Sequence, residues 1–183
     1  MAENLLASGS PDPRAIEELQ RTVDWMLAML DPRGTVWNSV KPPDDWSPTD
    51  KRPDKDPTQR VLDKSYNLNY QTTYVAGMAH AARALKSIDP ERSAKALAAA
   101  RKARDYLAAR DWNDQSTAEI GNFIWGNLEL YRVAGETSFL DRAVSLAPII
   151  LDRQFLDPSK AQDGICGDFF DDPQRTVFGN RQY

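Results

Sequence analysis

Apolar positions recur at three- and four-residue spacing in five stretches of this chain, and the stretches alternate in character. In the first, Ile16, Leu19, Val23, Met26, Leu27 and Leu30 share a stripe, while Arg14, Glu17, Glu18, Arg21 and Asp24 fall elsewhere. One apolar stripe opposed by charge marks a helix lying on the surface of a core. Asp12 offers an N-cap and Pro13 suits the first helical position, so a helix is predicted over about 13–30. The second stretch, about 67–86, differs. Tyr70, Tyr74, Val75, Met78, Ala82 and Leu85 form a stripe, yet Ala76, Gly77, Ala79, Ala81 and Ala84 keep the remaining surface small and uncharged. Arg83 and Lys86 sit near its C-terminus, where the helix dipole favours cations. Small residues all round let neighbours approach from several sides, which predicts an inner helix.

The alternation continues. Asp89 and Pro90 open a third helix over about 90–109, one-sided again, with Ala96, Ala99, Ala100, Ala103, Tyr106 and Leu107 against Arg92, Lys95, Arg101, Lys102 and Asp105. Ser116 and Glu119 have capping-box spacing at the start of a fourth, about 116–134. Ile120, Phe123, Ile124, Trp125, Leu128, Leu130 and Tyr131 point in nearly every direction, so this is a second inner helix, with Trp125 read as core. Gly121 and Gly126 each cost about 1 kcal/mol of helix propensity relative to alanine, which close packing would explain. Gly135 ends it. Thr137 is the expected cap of a fifth helix over about 138–156, with Leu140, Val144, Ala147, Ile150 and Leu151 inward, Asp141, Arg142, Asp152 and Arg153 outward, and a bend at Pro148.

The pattern therefore predicts an all-α fold of antiparallel helical hairpins in a single domain. Alternate links fall at opposite ends, so 31–66, 110–115 and 157–183 share one end and the tight turns 87–89 and 135–137 share the other. The stretch 35–64 carries Pro42, Pro43, Pro48, Pro53 and Pro57, each without a backbone donor, which argues against regular structure there. Long links on one end of a rigid scaffold are where function sits.

Composition narrows the classes. The 183 residues fit one domain, 41% hydrophobic and 27% charged, with a net charge of −4 that offers no basic nucleic-acid footprint. No apolar run approaches the roughly 20 residues that span a bilayer, and the start lacks signal-peptide character, so a cytoplasmic location is the default, with secretion of a longer parent the alternative. One cysteine, Cys166, and one histidine, His80, cannot build a structural zinc site or an internal disulfide. No cofactor is implied. The acidic run from Asp163 to Asp168, with Asp171 and Asp172, has oxygen ligands but not the spacing of a calcium loop, and a solvated acidic loop is the simpler reading. His80, among alanines, reads as a packed histidine, and Cys166 has no base nearby in sequence.

Candidate chemistry lies on the loop-bearing face. Trp37, Trp46, Tyr66, Tyr70 and Trp112 fall on or next to it, with Asn69, Asn113 and Asp114 alongside. Flat rings suit the apolar faces of sugars and the amides and carboxylate suit hydroxyls. The competing reading is that these rings pin long loops to the core. The predicted substrate-binding set is Trp37, Trp46, Tyr66, Asn69, Tyr70, Trp112 and Asp114.

Several segments resemble glycoside hydrolase family 9. Residues 15–34, a helix ending in Trp-Met-Leu and a Pro-Arg-Gly turn, are similar to a helix and turn of that family. The segment 71–83, Gln-Thr-Thr-Tyr-Val-Ala-Gly-Met-Ala-His-Ala-Ala-Arg, looks like its alanine-rich inner helix. Residues 125–135, Trp-Gly-Asn-Leu-Glu-Leu-Tyr-Arg-Val-Ala-Gly, resemble its Trp-x-x-x-Glu-Leu-Tyr signature, with Ala134 and Phe139 in place of that signature's Thr and Tyr. The resemblance covers about residues 11–156. It implies part of an (α/α)6 toroid, about five helices of twelve, in a family acting mainly on β-1,4-glucans with inversion. The family's base, in an Asp-Ala-Gly-Asp motif, and its acid glutamate lie outside the matched region, and neither motif occurs in this chain. Such hydrolysis needs two carboxylates flanking the scissile bond, so no catalytic residue is assigned here. Partners implied are the carbohydrate itself and, at the uncovered ends of the half ring, the remainder of a toroid or another copy. A non-catalytic carbohydrate- or protein-binding helical module is the alternative. A sugar epimerase or isomerase on the same toroid is disfavoured, because that chemistry uses several histidines.

Overall fold

The computed structural model describes residues 12–41, 61–157 and 167–175. Over these residues the order is α1 (Pro13–Ala28), β1 (Ser39–Lys41), β2 (Val61–Asp63), α2 (Leu68–Leu85), α3 (Pro90–Leu107), α4 (Thr117–Ala134) and α5 (Thr137–Asp152). The architecture is all-α, built of antiparallel helical hairpins.

Local chemistry sets the helix ends. Asp12, Asn67, Asp89 and Ser116 each accept a backbone N–H in the first turn of the helix they cap. Ser116 and Glu119 close a reciprocal capping box. α4 stops at Gly135, whose φ of 75° is left-handed and natural to glycine. α5 departs from expectation, because Thr137 is its first helical residue and Glu136 stands at the cap with no side-chain bond. The helix continues through Pro148 to Asp152.

Burial sets α2 apart as the central helix, whereas α3 and α4 bury six residues each. α2 buries twelve of its residues, polar Gln71 and Thr72 among them. It packs against α3 on one side and α4 on another, while α5 packs on α4 and α1 lies against α2 and α3. α1 buries only Val23 fully. The α2–α4 seam is close: a Cβ placed on Gly126 would stand 2.8 Å from Val75 Cγ1 and 3.2 Å from the Ala76 backbone nitrogen. Gly121 has no such need, since its Cβ would meet only Ile150 Cδ1, at an ordinary 3.8 Å.

Three assignments from periodicity are corrected. In α5 the buried residues are Phe139, Ala143 and Leu146, whereas Val144 and Leu151 are more than 60% exposed. This helix carries two apolar faces, and α4 chose the one displaced by a residue from the stripe read in sequence. Trp125 is 44% exposed rather than core, because it falls outside the sides of α4 that meet α2 and α5. Arg153 is buried rather than outward-facing. Its Nη1 donates to the carbonyls of Gln115 and Asp171 and to Thr117 Oγ1, and its Nη2 donates to Asn113 O at 2.7 Å.

Arg153 thereby ties the 110–115 link, the start of α4 and the returning segment 167–175 together. Arg110 Nη1 donates to Tyr66 Oη at 3.0 Å and joins the first link to the second. The described parts of the long links thus gather at one end. The first link is not wholly irregular. β1 and β2 pair antiparallel with Val40 opposite Leu62. The prolines cluster over 42–57, leaving these flanks free to exchange backbone hydrogen bonds. Residues 42–60, Trp46 among them, lie outside the described residues.

Candidate functional site

The site begins with the turn after α1. Gly34 N donates to Asp31 O at 2.9 Å and Asp31 N to Thr35 O at 2.7 Å. Gly34 has φ 98°, and a Cβ there would sit 2.8 Å from Lys102 O in α3, so both the dihedral and the approach require glycine. The chain then runs back beside α1, with Leu30 and Val36 bridged and Trp37 N donating to Met29 O at 3.0 Å.

One buried side chain fixes this return. Gln71 accepts from Val36 N at 2.7 Å and donates through Nε2 to Val36 O at 2.6 Å, acting as a strand edge with its amide. A buried amide satisfied in both directions holds one register. The register places Trp37 beside α1 and α2. Tyr74 adds a second tie, its hydroxyl donating to Met26 O at 3.0 Å, and burial pushes its phenol well above the usual range.

Between these ties lies a groove of about 320 Å³. Tyr74, Met26, Met29 and Val36 form its apolar floor, Trp25, Trp37 and Tyr70 its aromatic walls, and Asn38 and Thr73 its polar rim. Trp25 and Tyr70 are about half exposed, at 51% and 48%. Large rings left open to water around a concave apolar floor, with few polar groups at the edge, are the common form of a ligand site. Asn38 Oδ1 is buried with no hydrogen-bond partner. Beyond Tyr70, the exposed surface continues across α2 to α4, where Asn122 Nδ2 donates to Asn69 Oδ1 at 2.8 Å and to Thr73 Oγ1 at 3.3 Å. Trp125 lies one helical turn further along α4.

The predicted residues separate into groups. Trp37 and Tyr70 wall the groove, and Asn69 stands beside it. Tyr66 lines an adjoining pocket of about 230 Å³ that shares Val36 and Trp37 with the groove. Asp114 lines a separate polar recess with Asp171 and Asp172. Trp112 is corrected: it is 2% exposed and stacked on Phe123 with ring centroids 4.3 Å apart, so it is core. Its position next to a link suggested a surface role, but the aromatic partner nearly two turns inside α4 drew it in. Trp25 was not among the predicted residues, though its signal was present. It is a tryptophan two positions past Val23, off the apolar stripe of an amphipathic helix. No trio of metal-ligating side chains occurs among the described residues.

A second feature also escaped the sequence. Glu129 in α4 is buried and joins Arg83 of α2 at 3.0 Å and Arg132 at 2.7 Å, with His80 Nδ1 3.6 Å away. Burial pushes its carboxyl upward, but the hydrogen bond and charge of Arg83, with Arg132, outweigh that and hold it below the usual carboxylate range. His80 is therefore half-buried at the edge of an ion cluster rather than enclosed among alanines. On the outer layer, Arg92 pairs with both Asp24 and Asp89, and its hydrogen bonds hold both carboxyls low.

Comparison with known proteins follows the same lines. Residues 3–161 match the model of glycosyl hydrolase family 9. The fold is similar to a thermostable endoglucanase from Alicyclobacillus acidocaldarius, with TM-score 0.57 and 27% identity, over 69% of this chain and 26% of that one. It is similar to a metagenome-derived family 9 endoglucanase, with TM-score 0.62 and 25% identity, over 75% of this chain and 27% of that one. A Bacteroides ovatus family 9 protein at 23% identity shares the fold, with TM-score 0.59, over 81% of this chain and 30% of that one. This chain thus spans about a quarter of the length of these solved structures. No curated protein matches it.

Proposed function

The chain belongs to glycosyl hydrolase family 9, and we propose that it supplies part of a β-1,4-glucan-binding cleft without the carboxylates that cleave the glycosidic bond. The observation that carries this reading is the open aromatic groove walled by Trp25, Trp37 and Tyr70. A β-1,4-linked glucose unit presents a flat apolar C–H face and a rim of equatorial hydroxyls. Half-exposed rings receive the face, while Asn38, Thr73, Asn69 and Asn122 supply donors and acceptors for the rim. Two of the solved relatives are described as endoglucanases, which agrees with a glucan chain as ligand.

Catalysis is assigned elsewhere on chemical grounds. Inversion requires an acid and a base facing each other across the bond with room for water. Of the buried carboxylates, Glu129 is bound to two arginines and held ionised, which suits neither a proton donor nor an unencumbered base.

Tryptophan fluorescence titrated with cellotetraose tests the binding half of the proposal. Saturable quenching or enhancement is expected, lost in Trp25→Ala combined with Tyr70→Ala. A flat titration with the folded chain removes the cleft reading. The catalytic half is tested by reducing-sugar release from carboxymethyl cellulose, expected to be nil for this chain alone. Turnover by the purified chain contradicts it.

A further inference from the structure

The pocket adjoining the groove has a charge of its own. Trp37 stands between the two, lining both. On the far side, the charged side chains lining the 230 Å³ pocket are Arg33 and Lys64, with no carboxylate among them, in a chain whose net charge is −4. Arg33 is paired with Asp31, at 3.1 Å. Lys64 has no carboxylate partner among the described residues, and its Nζ lies 5.4 Å from the Trp37 ring centroid, over the ring that walls the groove. A third cation, Arg110, stands behind Tyr66. Its Nη1 donates to the Tyr66 hydroxyl, it meets no carboxylate within ion-pair distance among the described residues, and its Nε is buried without a partner. With the phenol oxygen accepting from Arg110, the hydroxyl hydrogen of Tyr66 is left to donate elsewhere. Burial pushes that phenol's pKa up against the pull of Arg110, so the hydrogen stays in place at neutral pH.

Resting on the glucan-cleft reading above, we propose that this pocket is a subsite for a carboxylate-bearing sugar: a uronate unit of a β-glucan-like chain, its ring against Trp37 and its carboxylate between Lys64 Nζ and the Tyr66 hydroxyl. A neutral glucose unit offers a hydroxymethyl group at that place, which meets the same donors without the charge. Charge-assisted hydrogen bonds are about twice as strong as neutral ones. Because Lys64 is exposed, water and salt screen part of the gain.

The experiment compares cellobiose with cellobiouronate, in which one C6 hydroxymethyl is a carboxylate, by calorimetric titration at low and at high salt. The uronate should bind about fivefold to tenfold tighter at low salt and lose most of that margin at high salt. Lys64→Gln should abolish the preference, bringing the uronate down to the affinity of cellobiose for the same variant, and Lys64→Glu should reverse it. Equal affinity for the two sugars, or a preference that survives Lys64→Gln, overturns the subsite while the glucan cleft stands. Acetate competing as well as the uronate also overturns it, since the pocket would then bind any anion rather than a sugar. Failure of both sugars to bind removes the glucan cleft and the subsite with it.

Discussion

Two tryptophans show how differently the two regions of this molecule use the same side chain. Trp112 belongs to the inner layer, stacked on Phe123 and shut off from water. Trp25 belongs to the rim, half exposed over an apolar floor that it does not cover. The inner layer around α2 and α4 is tightly packed: Glu129, the one carboxylate buried there among the described residues, is paired twice, and the helix approach depends on a missing Cβ at Gly126. The rim around α1, α2 and the returning strand is held by a few directed ties, chiefly Gln71 to Val36 and Tyr74 to Met26, and leaves rings and an acceptor unspent. On the proposed reading, stability resides in the first region and recognition in the second.

Substitutions can break that division or sharpen it. Trp112→Ala should be the most damaging, costing about 3–5 kcal/mol by denaturant unfolding, as large aromatic deletions in a core do. A loss below about 1 kcal/mol would place Trp112 functionally with the rim. Glu129→Gln should cost about 2–3 kcal/mol, less than a fully enclosed pair because Arg83 and Arg132 reach solvent. Its pH dependence has a definite sign. The folded-state carboxyl is held below its unfolded value, so its contribution is present above the ordinary carboxylate range and is lost as pH falls through the depressed one. The gap in thermal midpoint between wild type and Glu129→Gln should be widest near neutral pH and narrow as pH falls below the ordinary carboxylate range.

Smaller effects probe the helix surfaces. Gly126→Ala gains about 1 kcal/mol of helix propensity but drives a methyl into Val75 and the Ala76 backbone, for a net loss of about 1–2 kcal/mol. Gly77→Ala, with nothing within 4 Å of its Cβ, should instead stabilise by about 0.5–1 kcal/mol. Equal effects at the two glycines would mean that the α2–α4 seam is looser than described. Trp25→Ala should change stability by less than about 1 kcal/mol while removing most of the cellotetraose response. A large stability loss there, with binding intact, would move Trp25 to the core and erase the contrast.

The amphipathic period and the capping residues determined much of this protein in advance. Five helices and their ends within a few residues follow from local rules: one apolar stripe means one buried side, and Asp-Pro or Ser-x-x-Glu means a start. The arc's place in a helical toroid came instead from the resemblance to a known family. Glu129, Arg153, Trp112 and Trp125 were placed only by the tertiary structure. Each sits where periodicity is silent. An all-round apolar helix does not say which of its sides meets a neighbour, a charged residue does not announce that three carbonyls await it, and α5, with two apolar faces, accepts either. The groove is the clearest case. Trp37 and Tyr70 could be read as candidates from the chain alone, but their union with Trp25 depends on Gln71 clasping Val36 across 35 residues, a distance over which sequence spacing holds no information about contact.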